Sequence, residues 1–600
     1  MQLLLATLLL APGAAAAVPY QEYILALSSR TVRPTSVYHS SGALSSEDAL
    51  LDDRVSMGRS LALDAFNSSV TYDFGKNIAG WINFNTASSG GSFTFTESSL
   101  WVSAEACDAT VDTLDAPVAF NITGSGQYSA PLKKQRCGAY TNQLVTIDPT
   151  RGNAVVPSNI LPHVNSLLLT ISPDCWLNTT ITNGTSALVD GAKRDRLVWS
   201  GDMAISLPGI AVSTYDLISV KNALDSLFDF QHTGGQLPYA GYPASLSSNI
   251  TSFTCHLYAL IGVGNVYQWS GDEAYVRAKW PRWKTAMEWA ASQIDGTGLA
   301  NVSAANTNDW ARGGMGGHNI EANALLFHTL NVGAAIALTQ DEPGTAERWA
   351  GLAAGIQSAA IPLLWQPDIG LFRDNETTTL APQDGNAWAV KSGLVTDVSQ
   401  IAQISEALQA RWGEYGPPAP EAVDVVSPFI SGFELEAHFA ANRTCAALAL
   451  IRGMWADFML DDPRMTNSTF VEGYSTSGAM HYGSLPDQRL SFAHGWSTGP
   501  TSLLTTYAGG IQLLAPAGAV WTIVPQVGDL THVDAGFSTS LGRFSSTWSM
   551  NATAFSITIS TPKGTTGTIG APVPGNFTSV TLIGTGGKGE RVQADASGRV

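Results

Sequence analysis

Charge is the scarcest property of this 600-residue chain, for only 13% of its residues are Asp, Glu, Lys or Arg. Bases are the scarcer sign, 31 against 49 acids, which leaves a net charge of −18. A surface of that sign repels phosphate backbones and anionic headgroups, so nucleic-acid and membrane-surface binding are excluded. Cysteine is sparse too. Its five residues (Cys107, Cys137, Cys175, Cys255 and Cys445) show neither zinc-site nor redox spacing. No acidic loop has the spacing of a calcium ligand set, so neither a metal nor a cofactor is expected. Past the first residues, no continuous apolar run reaches the ~18 residues of a bilayer span, and no fixed repeat period recurs along the chain.

What is present points outward from the cell. Residues 1–17 hold a short apolar core, Leu3 to Leu10, followed by small residues, and Pro12 and Gly13 would break a buried helix there. That pattern reads as a secretory leader. Asn-x-Ser/Thr triplets begin at Asn67, Asn121, Asn178, Asn183, Asn249, Asn301, Asn375, Asn442, Asn467, Asn551 and Asn576, so N-glycans on a secreted, extracellular protein are expected. An oxidising compartment favours disulfides, and Cys107 with Cys137 is the preferred pair because both lie in one β-rich region.

A chain this long exceeds a single core, since cores stop growing at roughly 250–300 residues. Residues 18–185 are rich in short alternating runs such as SVTYDFG, GWINFNTA and GSFTFTE, which predict an N-terminal β-sandwich. Across 186–512 the period changes to three and four, as in EAYVRAKWPRWKTAMEWAASQ and NIEANALLFHTLNVGAAIALT, with Gly, Pro and Asn-rich joints between helices. Helices in series without intervening strands suit a closed α/α toroid or a solenoid, and the lack of a repeat favours the toroid. From 513 to 600 the alternation returns in VWTIVPQVG and AFSITISTP, predicting a small C-terminal β-sandwich.

The densest chemistry lies at the first β-to-α junction, Asp190-Gly-Ala-Lys-Arg194-Asp195-Arg-Leu-Val-Trp199-Ser-Gly-Asp202. Asp195, Trp199 and Asp202 are four and seven positions apart, so a helical turn would put them on one face. Glycosidic cleavage needs one protonated carboxyl for the leaving oxygen and one ionised carboxylate for water. Neighbouring Arg194 would favour ionised acids, while desolvation by Trp199 would raise a donor. A salt-bridged domain junction accounts for the same residues. A second cluster runs from Glu472 and Tyr474 through His481, Tyr482, His494 and Trp496, where a carboxylate stands among aromatic and small residues; an ordinary loop acid and a structural histidine fit as well. Asp309-Trp310 suits sugar hydroxyls, or a helix cap. Asp384-Gly-Asn-Ala-Trp388 is a weaker instance of the same pairing.

Taken in order, these motifs resemble family 78 of the glycoside hydrolases, the α-L-rhamnosidases of the six-hairpin (α/α)6 superfamily. Tyr72-Asp-Phe-Gly75 through Trp81 is similar to a stretch of that family's N-terminal β domain, and Asp190, Asp195, Trp199 and Asp202 match its Asp-x4-Glu-x3-Trp-x2-Asp motif. Asp195 stands where the family has Glu, and Glu472-Gly-Tyr474 where it often has Glu-Arg-Trp. The resemblance implies an inverting exo-glycosidase that removes terminal α-L-rhamnose. Asp195 would then be the general acid and Glu472 the base, ~6.5–9.5 Å apart. Asp190, Arg194, Trp199, Asp202, Asp309, Trp310, Trp388, Tyr474, His494 and Trp496 would hold the sugar. Two alternatives stay open: a polysaccharide lyase using His481, Tyr482 or His494, and a carbohydrate-binding protein without activity.

Overall fold

The computed structural model describes residues 31–51, 60–63, 68–73, 80–88, 91–98, 118–129, 142–147, 154–155, 158–160, 168–170, 186–191, 197–241, 250–466, 469–483, 490–551, 554–572, 580–583 and 589–592. The leader, Cys107, Cys137, Cys175, Arg194, Asp195 and positions 74–79 of the Tyr72–Trp81 stretch lie outside them. Among the described cysteines, Cys255 and Cys445 are free thiols.

The three alternating runs of the N-terminal part form strands Ser68–Asp73, Gly80–Thr86 and Gly91–Ser98. They fall in two five-stranded sheets. One is an antiparallel ladder in the order 36–41, 68–73, 142–147, 91–98, 118–122; the other is built around Gly80–Thr86. Phe84 of the second sheet meets Phe120 of the first edge to face, ring centres 5.0 Å apart.

The helical domain starts at α1 (Ser200–Val212) and continues through α2 (Leu217–Asp229), α3 (Phe253–Ser270), α4 (Glu273–Ala291), α5 (Ile320–Thr339) and α6 (Pro343–Leu364). It then runs through α7 (Gln383–Lys391), α8 (Val398–Gln409), α9 (Pro428–Ala440), α10 (Thr444–Leu450, prolonged as a π-helix to Phe458) and α11 (Gly499–Leu503). Sequence punctuation sets the starts. Asp216, Ser252, Asp272, Asn319 and Asp397 each accept a backbone N–H of the first turn, and α6 and α9 begin with Pro.

Odd-numbered helices touch one another in sequence, α1–α3–α5–α7–α9–α11, and α11 returns to α1, which closes an inner ring. Even-numbered helices lie outside it. The two sets differ as their positions require. α4 buries one stripe (Val276, Trp280, Trp283, Met287, Ala290), whereas α3 and α5 are buried almost all round. α5 is long and apolar enough to cross a membrane by length and composition, and 61% of that stretch is buried in the ring.

After α11 come two three-stranded sheets. In one, Val520–Ile523 pairs antiparallel with Ile511–Leu513 and parallel with Thr566–Ile569; the other is the meander His532–Thr539, Gly542–Met550, Phe555–Ser560. Their core is Ile511, Trp521, Ile523, Phe537 and Phe544. Phe537 meets Trp269 at the end of α3, at 5.4 Å, and Trp548 donates from Nε1 to the Ala508 carbonyl at 2.7 Å. The helical ring and the C-terminal β domain thus share one apolar seam.

Trp280 and Trp283 of α4 and Trp349 of α6 form a cluster of rings 5.7–5.8 Å apart, and Trp283 Nε1 donates to the Leu260 carbonyl at 3.1 Å. Trp283→Ala is expected to cost about 3–5 kcal/mol, read as a lowered denaturant midpoint of the helical domain; an unchanged midpoint would show that the outer helices do not depend on this cluster.

Candidate active site

One end of the ring gathers the polar chemistry. The connections from inner to outer helices are short (213–216, 271–272, 340–342, 392–397, 441–443), and those from outer back to inner are long (230–252, 292–319, 365–382, 410–427, 459–498). The long loops therefore meet at the N-terminal ends of the inner helices. A cavity of about 310 Å³ opens there, at the small end of ligand pockets, which run roughly 300–1,000 Å³. Residues at or just before the starts of α1, α3, α5, α9 and α11 line it.

Eight of the sequence-derived candidates meet on this cavity: Asp190, Trp199, Asp202, Asp309, Trp310, Tyr482, His494 and Trp496. Asp190 ties down its own loop. Its Oδ1 accepts from Leu197 N–H at 3.0 Å, its N–H donates to the Leu197 carbonyl, and its carbonyl accepts from Gly495 N–H. Gly191 bridges to His494 so closely that a Cβ would lie 2.3 Å from the imidazole Nδ1; only glycine allows that approach. Asp202 Oδ1 lies 3.0 Å from His494 Nε2. The expected single helical face is corrected. Trp199 is in extended backbone as the cap of α1, so the motif is a loop feeding a helix. Trp199 then packs edge to face on Tyr239 at 4.8 Å, with its Nε1 lacking a partner among the described residues.

Three candidates do not line the cavity. Glu472 is wholly buried behind it, with Oε2 accepting from Ser491 N–H at 3.1 Å and its carbonyl from Trp496 Nε1 at 2.7 Å. Tyr474 donates to the Tyr415 carbonyl in the core, and Trp388 donates from Nε1 to the Tyr258 hydroxyl at 3.0 Å. Trp388 thus supports a wall residue. The Glu472-Gly-Tyr474 pattern has a packing cause: the Tyr482 ring lies flat on Gly473, where a Cβ would come within 2.1 Å of it. Arg194 and Asp195 lie outside the described residues.

Several cavity residues escaped sequence reasoning: Tyr239, Cys255, Tyr258, Arg312 and Phe429. Arg312 carried a signal, as a base three residues after Asp309 in a chain poor in bases. Its Nη1 donates to Asp384 (2.8 Å) and its Nη2 to Asp374 (2.8 Å), with the guanidinium side chain 1% exposed. Trp310 Nε1 also donates to Asp384, at 3.2 Å. Behind, Glu421 accepts the N–H groups of Gln383 and Asp384 at the start of α7; burial and then Asp384 push it up to about 8. Asp309 lines the cavity fully buried, and burial together with Asp384 pushes it up to about 6. Its Oδ1 accepts from Thr254 Oγ1 at 2.8 Å.

Charge also bears on the alternatives. Among the described residues the cavity's one permanent cation is Arg312, whose Nη1 and Nη2 bind two aspartates. Of the lyase candidates, His481 is exposed and off the cavity, whereas Tyr482 and His494 line it. A serine–histidine–glutamate chain, Ser405 Oγ to His438 Nδ1 at 2.7 Å and His438 Nε2 to Glu434 at 3.2 Å, mimics a hydrolytic triad. All three side chains are fully buried away from the cavity, and Arg443 donates to Ser405, so its role is cohesion.

Two predictions follow from these ion pairs. Arg312→Met strands buried carboxylates and should cost about 3–5 kcal/mol; a variant with wild-type stability would show that the charges are compensated elsewhere. The second concerns the loop that carries Asp309. His318 is gripped by Asp295 (2.9 Å) and Glu376 (2.8 Å). Burial opposes its charge, but the two carboxylates outweigh it and raise the imidazole above its usual range. Its contribution is therefore full below about pH 6.5 and is lost as pH climbs through the raised value. Thermal midpoints of wild type and His318→Gln should differ at pH 5 and converge in alkaline buffer; a gap that is constant with pH refutes the clamp.

Comparisons place this architecture among known proteins. A family model described as the bacterial α-L-rhamnosidase six-hairpin glycosidase domain matches residues 165–417, and the model of the C-terminal domain of the same enzymes matches 510–580. No curated protein matches the chain. Among solved structures, a family 78 rhamnosidase of Bacillus sp. GL1 superposes with a TM-score of 0.65 at 18% identity, over 84% of this chain and 54% of its own. A Klebsiella oxytoca rhamnosidase with rhamnose bound gives 0.60 at 17%, over 79% and 94%, and an α-L-rhamnosidase of Aspergillus terreus gives 0.63 at 17%, over 90% and 62%. The chain spans about half the length of the Bacillus enzyme. Identities this low establish a shared fold, and the family models, which together span more than half of the 600 residues, establish kinship: the chain belongs to the α-L-rhamnosidase family of six-hairpin glycosidases.

Proposed function

We propose that this protein is a secreted, inverting exo-glycosidase that removes a terminal α-L-rhamnose or a closely similar sugar from plant-type glycosides or polysaccharides. The observation that carries the reading is the convergence of Asp190, Trp199, Asp202, Asp309, Trp310, His494 and Trp496 on one cavity with room for a single sugar ring. Aromatic faces (Trp199, Trp310, Trp496) suit the C–H faces of a pyranose, and carboxylates and His494 suit its hydroxyls. Family membership and the rhamnose-bound relative support the same substrate class. Asp195, between Asp190 and Asp202 in sequence, is the proton donor to the leaving oxygen. Glu472 is the base, held by Ser491 N–H. The N-terminal sheets pack as a sandwich. Export rests on the leader and the sequons. Asn121, Asn301, Asn442 and Asn551 are exposed and fit for glycans, whereas Asn375 is buried, with its amide donating to the Gly316 carbonyl.

A second reading of the base has its own support. Asp309, unlike Glu472, lines the cavity. The variants Asp195→Asn, Glu472→Gln and Asp309→Asn, assayed on aryl α-L-rhamnosides, separate the roles. Loss of an acid or base costs about 10²–10⁴ in turnover, so Asp195→Asn and Glu472→Gln should each fall by that much. A Glu472→Gln enzyme that keeps most of its activity while Asp309→Asn loses it would move the base to Asp309. Rhamnose binding by calorimetry without cleavage of any aryl glycoside would overturn the hydrolase reading, as would an ultraviolet-absorbing unsaturated product.

A further inference from the structure

Behind the cavity wall, Asp309 is backed by a carboxyl that the proposed mechanism does not use. Glu321, in the first turn of α5, is wholly buried, and its carboxyl lies with those of Asp309 and Asp384 in a group whose facing oxygens are all within 4.8 Å of one another. Three carboxyls this close need compensation. Either a cation or a proton supplies it.

The hydrogen bonds decide between the two. Asp384 is saturated: Oδ1 accepts from Arg312 and Gly385 N–H, and Oδ2 from Arg312 and Trp310 Nε1. Glu321 Oε1 accepts from the Tyr258 hydroxyl at 3.2 Å, and Asp309 Oδ1 accepts from Thr254. Two oxygens remain, Glu321 Oε2 and Asp309 Oδ2, fully buried and without another partner. Two free oxygens fall far short of the six to eight that calcium takes. One shared proton satisfies both. Its place follows from direction: Tyr258 already donates to Oε1, so the acidic hydrogen of Glu321 sits on Oε2 and is donated to Asp309.

We propose that Glu321 is a positioning residue, a buried carboxylic acid whose proton is donated to Asp309 and fixes that carboxylate as an acceptor for an O–H group held in the cavity. For the O–H group to be a sugar hydroxyl or the attacking water rests on the glycosidase reading; the proton itself does not. Burial and the two neighbouring aspartates drive Glu321 well above the ordinary carboxyl range, in line with this state. The groups around the pair are Asp384 from α7, Arg312 from the preceding loop, Tyr258 and Cys255 from α3, and Asp202 from α1. Arg312 is bound to Asp384 and Asp374 through Nη1 and Nη2, and its buried Nε–H has no acceptor among the described residues. When Glu321 loses its proton at high pH, the pair becomes two unshielded anions, Asp309 turns away, and activity falls on the alkaline side.

Two measurements test it. Difference infrared spectra of Glu321→Gln against wild type at neutral pH should show loss of one protonated-carboxyl stretch, whether or not the enzyme cleaves any sugar. Should Glu321→Gln fail to fold, Glu321→Leu serves instead, because it too removes the carboxyl and with it the same band. With aryl rhamnosides, Glu321→Leu should lose about 10²-fold in kcat/KM, while Glu321→Gln, whose amide donates permanently, should restore turnover and move the alkaline limb upward. Absence of the band in wild type, its persistence in Glu321→Gln, or an unmoved alkaline limb overturns the proposal. So does stoichiometric calcium binding by the chelator-treated protein that Glu321→Gln abolishes. A wild type with the band but no glycosidase activity would leave the proton in place and refute the sugar reading alone.

Discussion

The structure depends on compensating negative charge that is buried at the N-terminal ends of the inner helices. Asp202, Asp309, Glu321, Asp384 and Glu421 are buried or nearly so at that end, against one buried guanidinium. An uncompensated buried charge costs several kcal/mol, so the cluster exists only because other terms offset it. Arg312 neutralises Asp384 and Asp374. The converging helix N-termini carry partial positive charge and unpaired N–H groups, which favour anions at this end of the ring and not at the other. Glu421 uses that field directly, since its two oxygens accept the first N–H groups of α7. What remains is an acidic, aromatic-walled cavity, as electrostatics requires of this topology.

The ring explains why the loops divide as they do. Inner helices are buried on all sides and need an outer helix to cover them, so each hairpin closes with a short turn on one face. The return must climb from the outer layer to the start of the next inner helix, and that path demands length. Long loops carry the adaptable residues. Asp309, Trp310 and Arg312 come from the return between α4 and α5, Tyr239 from that between α2 and α3, and Tyr482, His494 and Trp496 from that before α11. Polar and aromatic side chains are thereby concentrated at one mouth without disturbing the apolar ring beneath.

Much of this could be read from the chain before any coordinates. The switch from alternation to a three–four period, and back near residue 513, marks the β–α–β order because each period reports which faces are covered. The Asp190–Asp202 and His494–Trp496 segments were legible as one site through their motif order, and Gly191 bridging to His494 is the contact that joins them. Local geometry was less legible. Four- and seven-residue spacing suggested a helix, yet Asp190 binds Leu197 across the loop and forces Trp199 into extended backbone. Trp388 and Tyr474 read as sugar platforms because sequence does not distinguish an aromatic ring facing a cavity from one a layer behind. Glu321 gave no signal at all, since an acid in a first turn is an ordinary favourable partner for a helix dipole.

The position of Glu472 sharpens the chemical problem. A base needs its carboxylate within hydrogen-bond reach of water, yet this one is enclosed, with Oε2 on Ser491 N–H and its backbone on Trp496. Asp309 has the opposite disposition, open to the cavity but backed by Glu321 and Thr254. The hydrogen bonds that Asp309 accepts oppose the effect of burial on its carboxyl. The two acids differ above all in access: Asp309 meets whatever occupies the cavity, whereas Glu472 is held behind it by Ser491 N–H and the Trp496 indole.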